Sequence, residues 1–159
     1  MKIIPAGLTL CLLVSQTTQA FALSCARDSF DLASVYNKHA DSDQKIMFIV
    51  GKFSGGEPRT DQNDLPRKTK IHNMKFVGSS IDRIKLHPMS KTISVKSTCL
   101  AHWCGGIPQK SVETLAAVDV TSGNNPVLLS GPCASNQFTH EIDKSIKLIQ
   151  ACMKKGKCK

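Results

Sequence analysis

Thiols and imidazoles are the groups of this chain with reactive chemistry near neutral pH, and their spacing decides what they could do. Cys99 and Cys104 flank His102 and the only tryptophan, Trp103. Such a thiol could act as a nucleophile, because a neighbouring imidazolium stabilises the thiolate. Thiol oxidoreductases place two residues between their cysteines at a helix start; here four intervene. The spacing reads instead as a structural crosslink that pins a loop, with Trp103 packed over it. Zinc sites want cysteines two to four residues apart and further Cys or His at similar spacing. Cys152 and Cys158, with five residues between them, have no such company. His39, His72, His87, His102 and His140 are dispersed, and His140-Glu141 lacks a second histidine four residues on. Neither a Gly-x-Ser-x-Gly elbow nor a phosphate-binding glycine loop occurs. The expectation is a non-enzymatic protein with no catalytic residue, no metal and no cofactor; an enzyme of thiol or metal type is the rival class.

The compartment follows from the N-terminus and the cysteine count. Lys2 precedes an apolar stretch from residue 3 to 14, then polar residues and Ala20. A charged start, a short apolar core and a small final residue make a secretory signal peptide over residues 1–20. That run is about half of the ~20 residues a membrane-spanning helix needs. Cys11 would leave with the signal, and Cys25, Cys99, Cys104, Cys133, Cys152 and Cys158 remain, an even set suited to three disulfides outside the cytoplasm. The local spacings favour Cys99 with Cys104 and Cys152 with Cys158 among the fifteen pairings that six cysteines allow. A secreted or periplasmic protein is expected. Lipidation at Cys25 is not, since Leu23 sits where a lipidation signal carries a small residue.

These groups need elements to position them. Residues 29–40 carry Phe30, Ala33, Tyr36 and Ala40 at helical spacing, with Asp28 or Ser29 as N-cap. Residues 45–53 hold the continuous apolar run Ile46-Met47-Phe48-Ile49-Val50, a buried strand. Residues 54–67, with Gly55-Gly56, Pro58 and Pro66, read as a solvated loop. Alternation returns over 70–77, 83–86 and 92–99, as in half-buried antiparallel strands. Residues 112–120 and 127–129 read as a hairpin across Ser122-Gly123-Asn124-Asn125-Pro126. An amphipathic helix over 139–153, with Ile142, Ile146, Ile149 and Met153 on one stripe, closes the chain. The expected core is Ile46, Phe48, Val50, Phe76, Ile93, Val95, Leu115, Ala117, Val118 and Leu128, with the three helix isoleucines closing one end. Residues 21–159 thus form one mainly β domain with flanking helices, a small five- to six-stranded barrel that protects its sheet edges by closure.

An early Cys25, the strand Ile49-Val50-Gly51-Lys52, a later Cys104-Gly105, and Leu129-Ser130-Gly131-Pro132-Cys133 before a final helix resemble the netrin-like module, the OB-fold domain of tissue inhibitors of metalloproteinases. The stretch from Thr98 to Gly106, with Pro132-Cys133, is also similar to a group of small uncharacterised exported proteins of alphaproteobacteria. The resemblance implies an OB-fold-like barrel stapled by disulfides. It also implies that Cys25 pairs with Cys133, tying the N-terminus to the cysteine before the last helix; the alternative joins Cys25 to Cys104 and Cys99 to Cys133. The family's inhibitors chelate a protease zinc through an N-terminal cysteine followed by Cys-x-Cys. Leu23-Ser24-Cys25-Ala26 lacks the second cysteine, so that device is not expected here.

Charge suggests the partners. With 21 Lys and Arg against 12 Asp and Glu, a net charge of +9 and 41% hydrophobic residues, the 159-residue chain is neither an acidic disordered tail, nor a polytopic membrane protein, nor a large multidomain enzyme. Its basic excess suits polyanions. Eight aromatics, mostly core phenylalanines, give few stacking platforms for nucleic acid, which export would in any case keep away. The reading is a binding module for an exported or envelope protein, with an anionic envelope surface or polyanion as the alternative. Lys154, Lys155, Lys157 and Lys159, at a helix end folded back by Cys152 and Cys158, are the candidate anion-binding residues.

Overall fold

The apolar run 46–50 shows no alternation because both faces of its strand are buried, a pattern that a strand with one wet face does not give. In the computed structural model, which describes residues 25, 31–60 (57–60 as backbone), 69–100, 103–123, 125–133 and 136–159, this strand is β1 (Ile46–Thr60). β2 (Lys70–Ile81) pairs with one edge of it and β6 (Glu113–Asp119) with the other, both antiparallel. The expected signal peptide, Asp28, Ser29, Phe30 and His102 lie outside the described residues.

β2 continues into β3 (Leu86–Ser97) as one long hairpin, in register from Ile81 opposite Leu86 to Lys70 opposite Ser97. β7 (Val127–Ser130) lies parallel to the end of β3 and touches β6 at the single pair Asp119 and Val127. β8 (Gln137–Phe138) adds to β6. The six-stranded sheet runs β1-β2-β3-β7-β6-β8, and the β1–β6 pairing returns the cycle to its start. A separate two-stranded ribbon joins β4 (Cys99–Leu100) to β5 (Trp103–Cys104). The architecture is mainly β, with helices α1 (Leu32–Ala40) and α2 (Ile142–Lys155). Among the described residues no helix is long and apolar enough to cross a membrane.

Alternation along each strand divides the apolar residues into two layers. Ile49, Phe53, Met74, Phe76, Ile93, Val95, Ala116, Val118 and Leu128 pack together on one face of the sheet. Phe48, Val50, Ile81, Leu115 and Ala117 face the other way and are covered by Leu32 and Val35 of α1 and Ile149 of α2. The expected core therefore mixes two layers: Phe48 and Val50 belong with the helices, while Ile49 and Phe53 supply β1's share of the other layer. Within that layer, Gly51 and Gly78 stand opposite each other. A Cβ on Gly78 would lie 2.6 Å from the Gly51 Cα and 2.8 Å from Phe76 Cζ. The Phe76 ring thus lies over this pair of glycines and meets Phe53 at 5.1 Å between centroids.

Four readings are corrected. Residues 54–60 are not loop, because β2 pairs with them across a register shift between Gly55 and Pro58, where Gly55 and Gly56 take φ values of +71° and +95°. The two glycines make a bulge in a strand instead of ending it. Residues 83–86 are mostly the β2–β3 turn, with Ile84 81% exposed. The expected hairpin of 112–120 with 127–129 is reduced to one pair, since β7 spends its backbone bonds on β3. Helix α1 begins later than expected, capped by Asp31, whose carboxylate accepts from the Ser34 N–H at 2.9 Å and the Ser34 hydroxyl at 2.8 Å. Its buried residues are Leu32 and Val35.

Candidate binding surfaces

The six cysteines meet in three pairs at disulfide distance: Cys25 with Cys133, Cys99 with Cys104 and Cys152 with Cys158, with Cα separations of 5.6, 4.0 and 4.6 Å. Cys152 and Cys158 are buried. Cys99 and Cys104 face each other across β4 and β5, and the next pair outward is Leu100 opposite Trp103. Trp103 is 56% exposed and Leu100 58%. A two-residue strand cannot hold such a pair by its own hydrogen bonds. The crosslink and the anchoring bonds do so: Gly105 N–H donates to the Thr98 carbonyl at 3.0 Å, and the buried Ser97 hydroxyl donates to the Gly105 carbonyl at 2.6 Å.

Helix α2 ends at Gly156 in a left-handed conformation, φ +76°, which turns the chain back on itself. Lys154 and Lys155 stand in the last turn, Lys157 and Lys159 on the returning tail, and all four are exposed. Lys157 pairs with Asp41 at 3.9 Å. Asn37 of α1 holds the tail from the other side: the Cys158 N–H donates to its Oδ1 at 2.8 Å, and its Nδ2 donates to the Cys158 carbonyl at 3.1 Å. The lysines thus sit on a segment fixed by a crosslink and by a two-bond amide clasp. The clasp has no sequence signal, because its partners lie 121 residues apart.

Among the described residues the histidines do not converge, and no group of three or more His, Cys, Asp or Glu side chains could hold a metal. His39 Nε2 hydrogen-bonds Asn136 Oδ1 at 3.2 Å, with the tautomer set by that bond. His87 stands 3.6 Å from Asp82. His140 is exposed, and His72 is buried in β2 with Nδ1 unpartnered. A cleft of about 670 Å³ lies beside His39, between Ser34 and Lys38 of α1 and Leu129, Gly131 and Asn136. Nearby, Asp119 is held below the usual carboxylate range, first by the Thr121 hydroxyl and then by the Thr121 N–H, which donates at 2.7 Å. Ser34, Ser42 and His39 line the cleft, with the Ser34 hydroxyl donating to the Asp31 carboxylate and the Ser42 hydroxyl to the His39 carbonyl, each at 2.8 Å; its described walls offer hydrogen bonds and the Lys38 ammonium.

Comparison of the chain with protein-family models, with curated proteins and with solved structures gives no match.

Proposed function

We propose that the protein is an exported, disulfide-stapled binding module for a protein partner of the secreted or envelope compartment, built on a netrin-like OB-fold barrel. The strand cycle β1-β2-β3-β7-β6, with its single parallel pair, supports the barrel reading. The observation that carries the function is the crosslinked β4–β5 ribbon, on which Trp103 and Leu100 are each more than half exposed. Large rigid side chains held outside the core are what binding anchors are made of, since they bury much apolar area and lose little entropy. The test is crosslinking of the purified protein to an envelope extract, run beside a Trp103→Ser/Leu100→Ser variant of unchanged circular dichroism. A partner captured by the parent and lost by the variant is expected. Identical capture by both would refute the ribbon as the contact.

A second reading has its own observation, the clamped C-terminal tail. Its lysines offset the negative end of α2, and the surplus charge meets an anionic envelope surface at about 1 kcal/mol per lysine. That attraction fades over a Debye length of about 8 Å at physiological salt. Co-sedimentation with anionic and neutral vesicles across a salt series tests it, using the parent and a variant with Lys154, Lys155, Lys157 and Lys159 changed to Gln. Equal sedimentation of the two would leave the lysines as a helix end and a solubilising face.

A further inference from the structure

Sheet register gathers cations that the sequence scatters. Lys52 lies opposite Val77, Lys75 opposite Ser54 and Thr92, and Lys96 opposite Ile71, so the three lysines share the outer face of β1, β2 and β3. This is the face whose other end, around Val50 and Ile81, is covered by the helices. Past that cover, Lys52, Lys75 and Val77 are exposed and Lys96 is half-buried. Diagonal neighbours such as Lys52 and Lys75 stand about 7 to 8 Å apart across a strand pair. Lys96 is four positions further along β3 than Thr92, roughly 14 Å away at strand rise. Among the described residues none of the three lysines pairs with a carboxylate. Glu113, opposite Lys52, bounds the face at its β6 side. Between the lysines run hydroxyl and amide groups: Thr92, and Ser94 donating to Asn73 at 2.9 Å.

We propose that this face binds an acidic polysaccharide, with Lys52, Lys75 and Lys96 meeting successive carboxylates or sulfates and the Thr92, Ser94 and Asn73 row hydrogen-bonding the sugar hydroxyls. Two other polyanions fit the face less well. Single-stranded nucleic acid is held by stacking on aromatic platforms, and these rows carry no aromatic side chain. A lipid surface takes an inserted apolar face, and among the described residues the exposed large apolar side chains of these rows are Val77 and, at the far end of β3 opposite Ile81, Leu86, too few and too far apart to make one. The site shares no residue with the Trp103 ribbon or the C-terminal tail, so its variants test it apart from both readings above.

The test is equilibrium binding of the protein to polygalacturonate, with neutral dextran, oligothymidylate and phosphatidylglycerol vesicles as further probes. Three charge contacts weaken binding roughly 20-fold between about 50 and about 200 mM salt, taking the slope of a single-stranded polyanion. The triple variant Lys52→Gln/Lys75→Gln/Lys96→Gln is expected to lose at least about tenfold at low salt by the same reckoning. The corresponding triple Arg variant keeps the charge and the binding, and Gln at the four C-terminal lysines leaves it unchanged. Binding by the Gln triple variant equal to the parent overturns the proposal, as does equal binding of dextran. Tighter binding of oligothymidylate or of the vesicles, with the same lysine dependence, replaces the polysaccharide by nucleic acid or membrane and overturns it as well.

Discussion

Replacing Gly78 by Ala tests a place where two paired strands leave no room for a side chain. The added methyl would lie 2.6 Å from the Gly51 Cα and closer still to the Val50 carbonyl oxygen, where ordinary contact begins near 3.4 Å. Both neighbours are backbone of the paired strand, so no side chain can swing aside. β1 and β2 must separate locally by the better part of an ångström, and Phe76, 2.8 Å from the new atom at Cζ, must also shift from its position over the glycines. Overpacking of this kind costs about 1 to 3 kcal/mol, and loosening the two ladder bonds of one residue pair adds about 1 kcal/mol each. The expected loss is about 3 to 5 kcal/mol, a large part of the roughly 5 to 15 kcal/mol of a typical domain. Guanidinium unfolding followed by circular dichroism measures it, with Gly106→Ala as the control, since a Cβ there meets nothing within 4 Å. A loss below about 1 kcal/mol for Gly78→Ala, or equal losses for the two, would show that the glycine pair does not face Phe76 inside the packed layer.

Replacing Cys25 and Cys133 together by Ala should cost about 4 to 5 kcal/mol by the chain-entropy account, since the pair closes 108 residues. Each local pair is worth about 2 kcal/mol by the same account; non-reducing peptide mapping checks the pairing, and a free thiol at any of the six would contradict it. Phe48→Ala should cost about 3 to 5 kcal/mol, because Phe48 is 3% exposed and its ring lies 5.8 Å from Tyr36 under the helices; a neutral result in urea would place it elsewhere. Asn37→Ala should remove the tail clasp, lowering the melting temperature and speeding hydrogen exchange at Cys158, whereas unchanged exchange would mean that the crosslink alone holds the tail. Asp31 is held below its ordinary pKa by the Ser34 hydroxyl and then the Ser34 N–H. Its contribution is therefore full above the unfolded value near 4 and is lost as pH falls through the depressed folded value. Parent and Asp31→Ala should differ in stability at about pH 6 and converge as the pH falls through the depressed folded value, and an unchanging gap would argue against the cap.

How much could be read from the sequence depends on whether a residue's role is set by its neighbours in the chain. Met74 and Phe76, or Ile93 and Val95, declare their strands because alternation is a local signal, and the stripe Ile142, Ile146, Ile149 declares α2 in the same way. β1 hides its two faces because a strand buried on both sides has no polar period to read, and its far half is masked by Gly55, Gly56 and Pro58, residues that punctuate loops more often than bulges. The parallel contact of β7 with β3 is likewise closed to local reasoning, since Val127-Leu128-Leu129 reads the same whichever strand it joins. The Asn37 clasp and the lysine face are functions of register and long-range contact alone. Single residues such as Lys52 and Lys75 carry no motif; only the pairing brings them to one side.

The cycle of strands also sets the order in which the molecule can be made. β1, β2 and β3 follow one another, and β2 and β3 zip through a short turn, so their meander forms from contacts nearer in sequence than the rest. The remaining edge of β1 must wait for β6, and the end of β3 for β7, both supplied much later in the chain. Non-local pairings bear their loop-closure entropy before they gain anything, and they fold slowly. In that interval β1 offers an open edge rich in Ile, Met, Phe and Val, the type of strand that pairs with other chains. A bond between Cys25 and Cys133 spans the whole cycle, and forms natively only once those late strands have arrived. Thiol oxidation that runs ahead of strand closure would lock in the wrong partners, so the yield of native molecules depends on how the oxidation rate compares with the rate of closing the sheet.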